Sequence, residues 1–204
     1  MKSSTEEITP ILGTAMGGGY YAGRIRLDDG TVYTLILAPK ADGEHKPTKW
    51  IGGNTKVSGA LSYNDGLANT QAMAEAGSEL ARWALDLRID GRDGWYLPSQ
   101  DELEVIYRNL KPTTEENWCY ARSGINLSAV EPTRPYTPAS PPQTPAEAFQ
   151  DGGEQAFEEA IYWTSTRHIA ATDSAWAQYF DYGNQYDYST GYQFRARAVR
   201  RLAI

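Results

Sequence analysis

Apolar and polar positions alternate on both sides of Asp29-Gly30 in the stretch YYAGRIRLDDGTVYTLILA, residues 20–38. A period of two around a turn dipeptide predicts a β-hairpin, with Asp29-Gly30 supplying the positive φ angles of a two-residue turn. Residues 32–38 are apolar on both faces, which places that strand in the interior of its sheet. The run Gly17-Gly18-Gly19 reads as a flexible joint between an N-terminal tail or anchoring segment, residues 1–19, and a domain over residues 20–204. The period then changes. In residues 66–88, Leu67, Met73, Ala76, Leu80, Trp83 and Leu87 recur at spacings near three and four, predicting one amphipathic helix that ends at Gly91-Arg92-Asp93-Gly94. A second helix is predicted from Ser99, with Glu102 three residues on to complete a capping box, an apolar face of Leu103, Ile106, Tyr107 and Leu110, and Pro112 as the stop.

Residues 131–145, EPTRPYTPASPPQTP, hold six prolines and neither period. They read as an extended inserted loop, with a proline-rich ligand for a partner as the alternative. A short helical stretch over roughly 146–160 leads back to YWTST at 162–166. Short strands are predicted over about 174–182, 184–188 and 192–202, with turns at Gly183-Asn184 and Ser189-Thr190-Gly191. Hairpin, two helices, insertion and antiparallel meander together predict an α+β domain whose terminal strands share one sheet.

Length and composition narrow the picture. At 204 residues and 41% hydrophobic, the chain suits one domain with insertions. A net charge of −7 lacks the basic field that nucleic-acid binding requires. Cys119 is the sole cysteine, which rules out an internal disulfide and a thiolate zinc site, and His45 and His168 are the only histidines. No metal and no cofactor is expected. The N-terminus MKSSTEEITP lacks an apolar signal core, and no run approaches the ~18 apolar residues of a membrane span. Neither a cleaved signal nor membrane insertion is expected.

Reactive chemistry is sparse. There is no GxSxG elbow, and His168 beside Arg167 reads as a surface residue. Glu115-Glu116 and Glu158-Glu159 read as solvated charge, Asp28-Asp29 as turn chemistry, and the glycine run precedes a strand where a phosphate loop would follow one. The chain is expected not to be an enzyme. The C-terminal stretch YFDYGNQYDYSTGYQFRARAVRR, residues 179–201, is different in kind: Tyr179, Tyr182, Tyr186, Tyr188 and Tyr192 fall within fourteen residues among Asp, Asn, Gln, Ser and Gly. Tyrosine offers rigid contact area at low entropic cost and the small polar residues add adaptable hydrogen bonds, the mixture of recognition loops. Strand alternation puts Trp176, Gln178, Phe180 and Tyr182 on one face and Tyr179 and Asp181 on the other. Trp176 and Phe180 are assigned to the core, and Tyr179, Asp181 and the turn residues through Tyr192 are candidates for exposure, with one or two of the five tyrosines completing the core. Arg195, Arg197, Arg200 and Arg201 read as cross-strand and edge pairing residues.

Four motifs occur in one order: GWYLPSQDELEVIYRNL (94–110), YWTSTR (162–167), W-x-Q-Y-F-x-x-G-N-Q (176–185) and RAVRR (197–201). Together they resemble a C-type-lectin-fold family of bacterial surface proteins, including the C-terminal domain of the Legionella collagen-like adhesin, and of bacteriophage tail proteins. Several members are targets of diversity-generating retroelements. The resemblance covers about residues 60–204 and implies a C-type-lectin-like fold, small antiparallel sheets flanked by two helices, with the termini close together. It also implies that the ligand-contact positions are Tyr179, Asp181, Tyr182, Asn184, Tyr186, Asp187, Tyr188, Ser189, Thr190 and Tyr192. Two departures stand out: Arg167 where the family often has Glu, and the insertion at 131–145. Calcium-dependent lectins of this fold need two acidic motifs, of which only Glu131-Pro132-Thr133 has a counterpart. The formylglycine-generating relatives need paired cysteines.

The resulting expectation is a binding protein of a phage particle, made in the host cytoplasm and carried on the tail. Its partners would be a host cell-surface receptor, glycan or protein, and other virion proteins. Oligomers are expected, a trimer first, because surface attachment gains from multivalency. The alternatives are a structural tail or capsid decoration protein, and a bacterial surface adhesin or carbohydrate-binding module.

Overall fold

The computed structural model describes residues 10–53, 55–119, 124–131, 133 and 135–204. In chain order its strands are β1 (Ala15–Met16), β2 (Gly19–Arg26), β3 (Val32–Leu37), β4 (Glu44–Lys49), β5 (Ile161–Arg167), β6 (Ser174–Tyr179), β7 (Gln185–Ser189), β8 (Gln193–Arg197) and β9 (Val199–Ala203). Its helices are a single turn α1 (Lys40–Gly43), then α2 (Gly66–Glu75), α3 (Glu79–Asp86) and α4 (Gln100–Leu110). The strands form two sheets, ordered β1-β2-β3-β9 and β4-β8-β5-β6-β7. All pairings are antiparallel except β5 with β8. The α+β class and the sharing of one sheet by N- and C-terminal strands are as expected, and β3, apolar on both faces, lies between β2 and β9. Among the described residues no helix is long and apolar enough to cross a membrane.

Local chemistry explains where the elements differ from expectation. The β2–β3 connection is a three-residue loop. Leu27 N–H donates to the Thr31 carbonyl, Gly30 N–H to the Leu27 carbonyl, and Gly30 alone takes the positive φ, at 86°. The Asp29 carboxylate accepts from Thr31 N–H at 2.8 Å, which favours this longer turn over the two-residue one. Gly17 and Gly18, at φ 60° and 86°, close the tight turn from β1 to β2, so the joint expected there is part of the first sheet. Residues 1–9 of the expected tail lie outside the described residues.

The helix expected over 66–88 is two helices. Gly77 at φ 99° ends α2, Ser78 N–H donates to the Met73 carbonyl, and Ser78 Oγ accepts from Ala81 N–H to start α3. The apolar period runs across the break because both helices cover one core, containing Met73, Leu80, Ala81 and Ala84. The Ser99–Glu102 capping box is present at the start of α4. Residues 146–160 hold only a short 3-10 turn, Glu147–Phe149, and are otherwise irregular.

Helix α4 packs on β2, β5 and β6 and is buried along its first two turns. Around it lies the main core, in which Phe180 stacks on Phe157 at 3.8 Å and meets Tyr162 and Tyr107 edge-on. A second core of Trp50, Met73, Leu80, Leu97 and Trp163 joins α2 and α3 to the five-stranded sheet. Strands β8 and β9 are separated only at Ala198, so one run of chain passes from sheet to sheet. Ala198 donates to the Gly43 carbonyl and accepts from Ala38 N–H. Arg197, fully buried at that junction, donates to the Ala38 and Gln155 carbonyls at 3.0 and 2.7 Å. Arg195 pairs with Glu44 at 3.0 Å and Arg201 with Asp65 at 2.9 Å, while Arg200 donates to the Gly17 carbonyl. The C-terminal arginines are thus structural pairs, as the sequence suggested.

Candidate functional site

Strand register decides which face each ring joins. In β6 and β7, Ala175 lies opposite Tyr188 and Ala177 opposite Tyr186, so these tyrosines share a face with Tyr179 and stand over an alanine floor. The opposite face carries Gln178, Gln185 and, beyond the strand, Phe180, all buried toward α4. Small residues beneath large ones give the tyrosine rings room to lean together. Tyr188 is the hub, with ring centroids of Tyr186 at 5.5 Å, Tyr192 at 6.0 Å and Phe194 at 5.0 Å. Tyr192 stacks parallel to Phe194, and Phe194 meets Trp163 at 4.6 Å. The cluster therefore grades from open rings into the buried second core.

The hydroxyls of Tyr179 and Tyr188 share a hydrogen bond. Burial, then that hydrogen bond, pushes the Tyr188 phenol above its ordinary pKa. Tyr182, Tyr186 and Tyr192 are 46%, 41% and 58% exposed. Ser189 is exposed, while Tyr179, Asp181, Asp187 and Tyr188 are half-buried.

Two of the ten expected contact positions are not on the surface. Asn184 is buried and its carbonyl accepts from Tyr179 N–H to close the β6–β7 hairpin. Thr190 is buried because its carbonyl accepts from Trp50 N–H and its amide donates to the Asp173 carbonyl. Both are corrections to the exposed meander expected from the sequence, and both arise from backbone hydrogen bonds that hold the turns. Trp176, assigned to the core, is half-buried, with its ring 5.4 Å from that of His168.

Two aromatic residues outside the ten expected positions join the site. Phe194 completes the Tyr188–Tyr192 cluster. Trp118, from the segment after α4, stands 61% exposed with its ring 6.5 Å from that of Tyr182, edge to face. Alternation could have flagged Phe194, since it lies two residues from Tyr192; nothing local marks Trp118.

The remaining chemistry is structural. His168 Nδ1 accepts from Ala171 N–H at 2.9 Å, which shapes the turn between β5 and β6. Arg167 is buried and donates to the His168 carbonyl. Among the described residues no group of three His, Cys, Asp or Glu side chains is placed to hold a metal ion. The arrangement offers rigid rings, hydroxyls and a few carboxylates on one face, which is suited to binding.

No curated relative matches the chain. The model of the family described as the Lcl C-terminal domain matches residues 44–200. That match takes in helices α2 to α4, the insertion, the five-stranded sheet and the aromatic face, and the chain belongs to the Lcl C-terminal domain family.

Proposed function

We propose that this protein is a non-enzymatic binding component of a bacteriophage tail that contacts the host cell surface through the aromatic face of its C-terminal meander. The observation that carries the reading is the exposure of Tyr182, Tyr186 and Tyr192 on a meander whose neighbouring rings are packed. Exposed tyrosines held by buried neighbours lose little entropy on contact and can anchor a partner. Membership in the Lcl C-terminal domain family supports an adhesin-type protein, and the ordered motifs support a C-type-lectin-like fold and the tail location. The receptor is a glycan or a protein. Several copies, with a trimer as the expected assembly, would turn weak single contacts into stable attachment.

A bacterial surface adhesin is the second reading, and the family membership favours it equally. Gold-labelled antibody on purified phage particles separates the two: tail labelling supports the first, and label confined to bacterial envelopes supports the second. The contact face itself is tested by binding of the purified protein to host cells with Tyr182, Tyr186 and Tyr188 all changed to Ala. The variant should keep its fold, read by circular dichroism, and lose binding. Wild-type binding by a folded triple variant would remove the meander from consideration.

A further inference from the structure

The proline-rich segment is fastened to the tip of the proposed contact face, and Asn117 is the fastening. Its side chain is buried, its Oδ1 accepts from the Tyr107 hydroxyl at 3.0 Å, and its Nδ2 donates to the carbonyls of Thr137, Pro138 and Pro141. Three further bonds tie this unit to the turn after β6. Trp118 N–H and the Tyr136 hydroxyl both donate to the Tyr182 carbonyl, at 2.8 and 3.2 Å, and Thr113 Oγ1 donates to the Asp181 carbonyl at 3.2 Å. Gly183, at φ 77°, sits so close beneath that a Cβ would lie 2.0 Å from Tyr136 Oη and 2.3 Å from the Tyr107 ring. The turn and the insertion are therefore seated on one another, and the Trp118 backbone is held where its indole, 61% exposed, lies edge to face with Tyr182.

We propose that Trp118 and Tyr182 together receive a basic side chain, lysine or arginine, from a protein partner. This rests on the reading of the meander as a contact face and gives that face a ligand chemistry. Trp is the strongest of the aromatic faces for a cation, and Tyr follows. Charge points the same way: Glu115 and Glu116 are exposed just ahead of Asn117, Asp181 immediately precedes Tyr182, and the chain carries a net −7. A cation gains from the rings and from the carboxylates, whereas an anionic partner is repelled by the latter. Asn117 acts as a positioning residue for the pair.

The test is a titration of the full 15N-labelled chain with tri-arginine, tri-lysine and tri-glutamate peptides, following the indole N–H resonance of Trp118 assigned through Trp118→Phe. The cationic peptides should shift it saturably and tri-glutamate should not. Glu115→Gln with Glu116→Gln should weaken tri-arginine by about threefold or more, and Trp118→Ala should remove saturable binding at the Tyr182 amide while leaving the melting temperature within about 2 °C. Asn117→Ala should weaken binding, and Asn117→Asp, which keeps the acceptor but not the amide donors, should not rescue it. The proposal is overturned if tri-arginine leaves the Trp118 resonance unmoved, or if tri-glutamate moves it equally. The cell-binding test of the triple tyrosine variant is independent: its failure removes the meander reading, whereas failure of the peptide titration removes only the cation chemistry.

Discussion

Glu102 is fully buried, yet both carboxylate oxygens are engaged. Oε2 accepts from the N–H groups of Ser99 and Gly66 at 2.7 and 3.1 Å, and Oε1 accepts from the Tyr96 hydroxyl at 2.7 Å. Burial outweighs these donors and the nearby Arg201 charge, and raises the carboxyl from 4.5 to about 7. The folded chain thus holds this proton more tightly than the unfolded chain. Stability from the group is complete below about pH 4.5 and is lost as the pH rises through about 7, with an upper bound of about 3 kcal/mol. Urea unfolding of wild type and Glu102→Gln across this window checks it: the stability of the wild type relative to the variant should fall between pH 4.5 and 7, and a constant difference would refute the shift. The S-x-x-E spacing made Glu102 legible as a cap. Its burial and its bond to Gly66 were not legible, since both come from α2 arriving from thirty-six positions upstream.

At the scale of elements, caps mattered more than propensity. Ser99 and Glu102 start α4 where the capping box predicts, whereas Gly77-Ser78 splits a period that reads as one helix. An apolar stripe reports which face is covered and is blind to a cap that interrupts it without changing that face. Ser99→Ala removes a buried cap whose Oγ accepts from Glu102 N–H, and is expected to cost about 1–2 kcal/mol. Chemical denaturation measures that loss, and a change within about 0.3 kcal/mol would show that the rest of the network suffices. In the meander, alternation groups Tyr182 with Phe180, yet Phe180 is buried and Tyr182 is open, because the strand ends at Tyr179 and the turn takes Tyr182 out of the period. Alternation also fails at Asn184 and Thr190 because turn residues are buried by the backbone bonds they make, and side-chain period carries no information about those.

At the scale of the whole molecule, the passage from β8 to β9 through Ala198 joins the two sheets without a linker, and buried Arg197 spans the junction. A structure joined in this way should unfold as one unit. Urea transitions followed by tryptophan fluorescence, which reports Trp50 and Trp163 in one core cluster and Trp95 in another, and by far-ultraviolet circular dichroism should superimpose. Separate midpoints would mean that the sheets are independent.

Periodicity and turn chemistry by themselves determined the hairpin, the capped helix α4 and the positions of strands β6 and β7, because each depends on residues within a few positions of one another. That β8 pairs with β5 and not with β7 was decided by the tertiary structure. Tertiary structure decided how open each ring is and that Trp118 stands beside Tyr182. It also made the proline-rich insertion a support for the turn at Tyr182. Exposure depends on what arrives from elsewhere in the chain, such as Trp50 against Thr190 and Asn117 against Pro138, and such long-range bonds leave no period in the sequence.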